Sequence, residues 1–180
     1  NDTGVKPEKV VIVSNTSPIE NYVISTSNES ELLTFIKNHY SVIYTGGIQM
    51  GRGIQVVFNA IPHIIKWIPN FLFVIMGDGY AISSLKELAR IMKISDHVLW
   101  TGWVDHDKIF EYIKCCKVGI IPHLVTDHVN TTIPNKIFDY MGLGLKVIAS
   151  DSDPMKRIIE NEKCGLTFRN GDSYELVKVF

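Results

Sequence analysis

What most constrains this chain is a cadence that starts at Ser41: a short apolar run, a glycine-bearing turn, a longer amphipathic stretch, then the same again. The apolar runs fall at 41–45, 71–76, 98–101, 118–121, 146–149 and 165–168. They are continuous rather than alternating, the pattern of parallel strands covered on both faces. Between them lie helical stretches at 54–67, 81–92, 107–115, from 134 to the glycines at 142 and 144, and at 154–160. A further helix begins at 173, and a short one precedes the series at 31–39. Pro62 is expected to interrupt or kink its helix, because it removes a helical hydrogen bond. Strand, turn and helix repeated about half a dozen times predict a Rossmann-like, doubly wound α/β domain with a parallel sheet.

A chain of 180 residues suits one domain with its own core. The net charge of −1 gives no basic field that would argue for nucleic acid. No apolar run approaches the roughly 20 residues of a membrane span. Cys115, Cys116 and Cys164 are odd in number and two are adjacent, so they do not make a disulfide framework. Reduced thiols in a cytoplasmic protein are expected instead. Sequons beginning at Asn15, Asn28 and Asn130 read as chance matches. The chain opens with polar residues and without an initiator Met, and Phe180 falls inside a helical pattern, so a fragment of a longer protein is expected. Ahead of the cadence, 9–14 reads as a strand and 15–28, rich in Ser, Thr and Asn, as a linker.

Ligands of open parallel sheets bind beyond the carboxyl ends of the strands. Those ends carry Gly46-Gly47, Gly77-Asp78-Gly79, Gly102-Trp103, Pro122-His123 and the loop 130–134. Glycine there lets a ligand approach the backbone, although it also serves the turn itself. Arg52, at the mouth of the helix after Gly46-Gly47, has a guanidinium that can fork onto two phosphate oxygens. The stretch 130–150, NTTIPNKIFDYMGLGLKVIAS, reads as loop, short helix, turn and buried strand. Pro134 suits the first helical position. Ile133, Ile137 and Met141 make its apolar stripe, and Gly142 and Gly144 end it. Asn135 and Asp139 then stand on the opposite face. A helix N-terminus fed by Asn130, Thr131 and Thr132 is a natural seat for phosphate; equally, this is an ordinary amphipathic helix with Asp139 in water. A diphosphate between Arg52 and that N-terminus, with Asp139 on two ribose hydroxyls, describes a nucleotide diphosphate site. Gly77-Asp78-Gly79 lacks the third glycine of a dinucleotide fingerprint, which argues against a Rossmann dehydrogenase. Trp103 reads as packing at a strand end. His106, His123 and His128 read as loop residues without metal-ligand spacing, and no metal is expected. The Cys115-Cys116 pair reads as filler, and no Ser-His-Asp or Cys-His arrangement is apparent.

From Ser41 to Asp172 the order of these motifs resembles the C-terminal, donor-binding domain of GT-B-fold glycosyltransferases of family 4, also called group 1. The stretch 44–53 resembles that family's strand-end loop with glycine and then a basic residue beside glycine. Residues 73–79 resemble its strand followed by Gly-x-Gly, and VLWTGWV at 98–104 its strand and base-contacting turn. PNKIFDYMGLGLKVIAS at 134–150 is similar to a helix reading Pro-x-Lys-x-Phe-Glu-Tyr-Met. The resemblance implies a basic diphosphate-binding role for Arg52 and makes Asp139 the second acid of an E-x7-E motif, holding the ribose. Backbone N–H groups of Thr131, Thr132 and Ile133 would meet phosphate or sugar, and Trp103 and Val104 would line the base. Gly46, Gly47, Gly77, Gly79, Asn135 and Lys136 complete the donor-binding set. The first acid of the motif falls at Thr131, the second is Asp rather than Glu, and Gly47 stands where many members have Arg.

The implied organisation is a crossing segment at 1–28 and a donor-binding domain at 29–180, one half of a GT-B fold, with the N-terminal acceptor domain outside this sequence. The implied function is binding of a UDP-, GDP- or ADP-sugar for a retaining transfer to a glycan or lipid-linked acceptor, inactive in this fragment alone. The location is expected to be cytoplasmic, peripheral at the inner membrane through the missing half. The alternatives are a GT-B-like sugar-nucleotide epimerase or phosphorylase half, and a non-catalytic nucleotide-sugar or protein-interaction module, suggested by Thr131.

Overall fold

The computed structural model describes residues 30–180. The strand expected at 9–14, the linker at 15–28 and the boundary at 28/29 lie outside the described residues. Six parallel strands form one sheet in the order β3-β2-β1-β4-β5-β6. They are β1 (Tyr40–Thr45), β2 (Phe71–Met76), β3 (Val98–Gly102), β4 (Val118–Ile121), β5 (Lys146–Ser150) and β6 (Gly165–Phe168). The helices are α1 (Glu31–Lys37), α2 (Ile54–Ile64), α3 (Ile82–Ile91), α4 (His106–Cys115), α5 (Lys136–Gly142), α6 (Asp153–Glu162) and α7 (Ser173–Lys178). The doubly wound α/β fold expected from the cadence is the one observed.

Successive strand residues point to opposite faces, and both faces are covered. Val42, Tyr44, Phe73, Ile75, Ile120 and Ile148 join the core under α2, α3 and α7. Ile43, Leu72, Val74, Ile121, Val147 and Ala149 join the core under α1, α4, α5 and α6. This is why the strands are continuous apolar runs, each buried large side chain contributing about 1.5–3 kcal/mol.

Two local expectations change. α2 is not broken at Pro62: it runs to Ile64, and Ile65 and Ile68 still donate to Ile61 and Ile64 at 3.0 and 2.9 Å. The proline sits near the end of the helix, so few later bonds depend on it. α5 begins at Lys136 rather than Pro134. Ile137 and Phe138 donate to Pro134 and Asn135 at 3.2 and 2.9 Å, so the proline belongs to a tighter lead-in turn. Gly142 is still helical, and Gly144 (φ +77°) is the stop. Leu145 donates to Tyr140 at 2.9 Å and Gly144 to Met141 at 3.0 Å, the paired closure of a left-handed C-cap. The buried stripe of α5 is Ile137 and Tyr140, both fully buried, whereas Ile133 and Met141 are only partly so.

The chain builds β1, β2 and β3 outward, then returns to place β4 on the other side of β1. The crevice at that reversal, outside the carboxyl ends of β1 and β4, is where an open α/β sheet offers a ligand site.

Candidate functional site

Glycines position the β1–α2 loop at this crevice. A Cβ on Gly77 (φ +138°) would lie 2.0 Å from the Gly46 carbonyl oxygen, and one on Gly79 2.1 Å from that of Ile48. The two glycines therefore let segments 46–48 and 77–79 lie backbone against backbone, joined by Gly46 N–H to Met76 O (2.9 Å) and Ile48 N–H to Asp78 O (2.8 Å). Gly53 (φ +71°) abuts Pro122, whose oxygen a Cβ would meet at 1.7 Å. Leu124 N–H donates to Gly51 O at 3.0 Å. These two ties bring the turn Met50–Arg52 to the end of β4. Gly47 differs: it is exposed, a Cβ would meet nothing, and its carbonyl accepts the Tyr44 hydroxyl at 2.8 Å.

α5 delivers the second cation. The Tyr140 ring fills the space above Gly119, where a Cβ would stand 2.2 Å from its Cδ2. Its hydroxyl accepts the Thr45 N–H at 3.0 Å and pairs with Thr45 Oγ1 at 3.2 Å. α5 is thereby pinned across the junction of β1 and β4. At its first residue, Lys136 Nζ lies 3.8 Å from the centre of the Tyr44 ring, a cation–π contact. Burial first, then the Arg52 charge, push the Lys136 ammonium down to about 7, with Asp139 pulling the other way. His123 is buried and its Nε2 has no hydrogen-bond partner among the described residues. Burial, then Lys136 and Arg52, push its imidazole down to about 3. Tyr44 is pushed up to about 12 by burial, opposed by Arg52. Arg52, Lys136, His123 and Tyr44 are thus one electrostatic cluster. It holds two cations and a neutral imidazole, and Asp139 is the carboxylate that acts on Lys136. An anion entering here relieves the repulsion between the cations and offsets the burial of the ammonium.

The other expected residues are placed unevenly. Arg52 is partly buried in its turn, with Lys136 and Asp139 close enough for their charges to act on one another. Asn135 is exposed at the start of α5, and no side chain caps that end. The amides of Thr131 and Thr132, expected to be available to a ligand, donate to His128 O and Val129 O at 3.2 and 3.4 Å. Both hydroxyls donate to His128 O as well, at 2.9 and 3.1 Å. The loop uses these groups to close its own 3-10 turn. Ile133 and Val104 pack on the α5-side core. Trp103 does not pack at the strand end: it is 78% exposed, and it follows Gly102, whose carbonyl accepts the Gly77 N–H at 2.9 Å. Beyond α5, a hollow of about 300 Å³ is bordered by Thr131, Ile133 and Arg157, and by Asn130 and Asp153, which hydrogen-bond each other twice at 2.8 Å. Tyr44 and Tyr140 are not distinguished by the sequence pattern, and His123, placed by it at a strand end, reads there only as a loop residue. The signal for His123 was its place directly after a strand and a proline, but nothing in its spacing shows that it is buried.

The family model described as Glycosyl transferases group 1 matches residues 39–179. Among characterised proteins, the chain is 24% identical over 125 residues to alpha-D-kanosaminyltransferase of Streptomyces kanamyceticus, covering 69% of this chain and 31% of that protein. It is also 24% identical over 103 residues to chitobiosyldiphosphodolichol beta-mannosyltransferase of Dictyostelium discoideum, covering 57% of this chain and 20% of that protein. Among solved structures, HepE of Anabaena in complex with UDP superposes with a TM-score of 0.80 at 18% identity, over 99% of this chain and 48% of that one. The C-terminal domain of the group 1 glycosyl transferase LpcC from Francisella tularensis gives 0.71 at 14%, over 90% and 84%. The chain spans between a fifth and a half of its full-length relatives. It has the fold of the C-terminal, Rossmann-like half of a GT-B protein, and it belongs to the group 1 glycosyl transferase family.

Proposed function

We propose that this domain binds the diphosphate of a nucleotide sugar at the carboxyl rim of β1 and β4, as the donor half of a glycosyltransferase. The observation that carries the reading is Lys136, an ammonium laid against the Tyr44 ring beside Arg52, in surroundings short of negative charge. A bound diphosphate supplies that charge. In this reading Arg52 and Lys136 face phosphate oxygens and provide the counter-charge themselves. Negative charge grows on the diphosphate as the bond to the sugar breaks, so these contacts strengthen towards the transition state and accelerate the step. Asp139 accepts hydrogen bonds from the ribose, exposed Trp103 offers its face to the base, and the hollow at Thr131 receives the sugar. The transfer is read as retaining, from the family resemblance.

A neighbour solved with UDP and another structure of it solved with UDP-glucose support UDP as the first ligand to try. The acceptor is read as held by a domain outside this sequence, so the chain alone is expected not to turn over. Titration calorimetry with UDP, GDP and ADP tests the reading. Heat is expected with at least one nucleotide, and Arg52→Ala or Lys136→Ala should weaken it about tenfold or more, the scale of a lost charge-assisted hydrogen bond. No heat with any of the three at millimolar concentration overturns it.

A further inference from the structure

A lysine stands at the entry to every strand: Lys37 ending the helix before β1, Lys66 before β2, Lys93 before β3, Lys117 before β4, Lys146 opening β5 and Lys163 before β6. Because the strands are all parallel, these six stand on one rim of the sheet, opposite the nucleotide rim. All six are exposed. The acids near that rim are Asp96, Glu160 and Glu162, whereas at the carboxyl rim Asp78, Asp107, Asp139, Asp151, Asp153 and Asp172 offset Arg52, Lys136 and Arg169. A near-zero net charge therefore hides an excess of positive charge at the strand-entry rim. Helix dipoles favour a cation in a last turn. That accounts for Lys37, but not for Lys117, which lies past its helix, or Lys146, which lies in a strand.

The same rim has apolar relief. Lys117, Lys146 and Lys163 border a hollow of about 510 Å³ floored by Val118, Ile148 and Leu166. None of the three forms an ion pair among the described residues. Tyr40 at the edge of the hollow meets Phe180 at 6.5 Å between ring centres. Phe180 also borders a smaller hollow beside Trp67, which is 83% exposed. A tryptophan left in solvent next to a row of lysines has no role in either core.

We infer that this rim docks on the surface of a bilayer containing anionic lipids. The lysines meet lipid phosphates, the three-lysine hollow takes a headgroup, and Trp67 sits at headgroup level, where indole partitions well. A row of six strand entries spans about 24 Å at the spacing of adjacent strands. That breadth matches a planar partner better than a single acidic peptide. Each lysine at such a surface strengthens binding about fivefold. No helix among the described residues is long and apolar enough to cross a membrane, so the contact is with the surface. Docked this way, the nucleotide rim faces the water. This inference does not depend on what that rim binds.

The test is flotation of the chain with phosphatidylcholine vesicles, with and without about a third phosphatidylserine, across a salt series. Binding is expected to the anionic vesicles alone, to fall steeply with salt, and to shift tryptophan emission to the blue. Lys117→Glu/Lys146→Glu/Lys163→Glu together should weaken it on the order of 100-fold, with circular dichroism unchanged because all three are exposed. Trp67→Ala should abolish the blue shift. Arg169→Glu, at the opposite rim, should bind as the parent does. The inference is overturned by absence of binding to anionic vesicles, by a triple variant that binds like the parent, or by equal weakening in Arg169→Glu. Capture by polyglutamate without any binding to vesicles also overturns it, in favour of an acidic protein partner.

Discussion

Lys136 is a charge that the fold holds at a cost. Its ammonium is pushed from 10.5 down to about 7, by burial and then by Arg52. Between those values the unfolded chain binds more protons than the folded one, so this group makes stability rise with pH from about 7 to 10.5 and leaves it lowest below 7. His123 acts in the same sense further down. Its imidazole is pushed from 6.5 to about 3, so stability is lost as pH falls through that window. Lys136→Met keeps the packing on Tyr44 without the charge. It should stabilise the ligand-free chain by about 1–2 kcal/mol at pH 7 and flatten the alkaline slope in urea unfolding, while nucleotide binding is lost. A lower urea midpoint for this variant at pH 7 would mean that the ammonium is compensated in the free protein. Diphosphate should also restore the lysine towards its ordinary value, so binding near pH 8 takes up a proton. Calorimetry in PIPES and in Tris, buffers of different ionisation heat, should then give different apparent enthalpies. Equal enthalpies would separate Lys136 from the ligand.

At the scale of elements, α5 depends on one ring over one glycine. Gly119→Ala drives a methyl into the Tyr140 ring, which is backed by core and cannot swing away. The cost should be about 2–4 kcal/mol, at or above the upper end for overpacking. Tyr140→Phe keeps the packing but leaves Thr45 without its partner, and should cost about 1 kcal/mol. Because Tyr140 anchors the helix that carries Lys136, its loss should reduce nucleotide affinity as well, read by calorimetry. Gly47→Ala is the contrasting case. The space there is open, so stability should stay within about 0.5 kcal/mol, whereas Gly53→Ala, at positive φ and against Pro122, should unfold at much lower urea. The strands were legible in sequence because burial on both faces leaves only apolar residues. Motif order names Arg52, Lys136 and Asp139 as a set, and the fold brings their charges within reach of one another. The stripe of α5 was not: with seven residues, Ile133–Ile137–Met141 and Ile137–Tyr140 are both good helical spacings, and the choice is made by Gly119, a strand away. The setting of His123 is illegible for a similar reason, since its burial is set by the fold and the charges that act on it come from residues 52 and 136. Trp103 was misplaced because an aromatic at a strand end is ordinarily buried, and here the chain leaves it in solvent.

Across the whole molecule, the sheet is two three-stranded wings that meet at a single seam, β1 against β4. Within a wing the pairing is long: six residue pairs align between β1 and β2. At the seam two do, Val42 with Val118 and Ile43 with Gly119. Other links across it include the Lys117–Ser41 and Leu124–Gly51 hydrogen bonds, the Gly53–Pro122 contact, the Tyr140–Thr45 pair, the Lys136–Tyr44 contact and the packing of α2 on α7. Arg52 belongs to one wing and Lys136 to the other, so a diphosphate held by both staples the wings together. Nucleotide at about 100 times its dissociation constant should add about 2.7 kcal/mol, or roughly 5–10 °C in melting temperature for a domain of this size. The location of that gain is the sharper expectation. In hydrogen exchange, protection should gather at 42–53 and 118–124 on either side of the seam, and in α5, because suppressing separation of the wings is what the ligand adds. The outer strand β6, remote from both the cations and Trp103, should exchange as before. Protection centred on β6 or on the lysine rim would place the nucleotide elsewhere, and an unchanged seam would show that the two cations do not share one ligand.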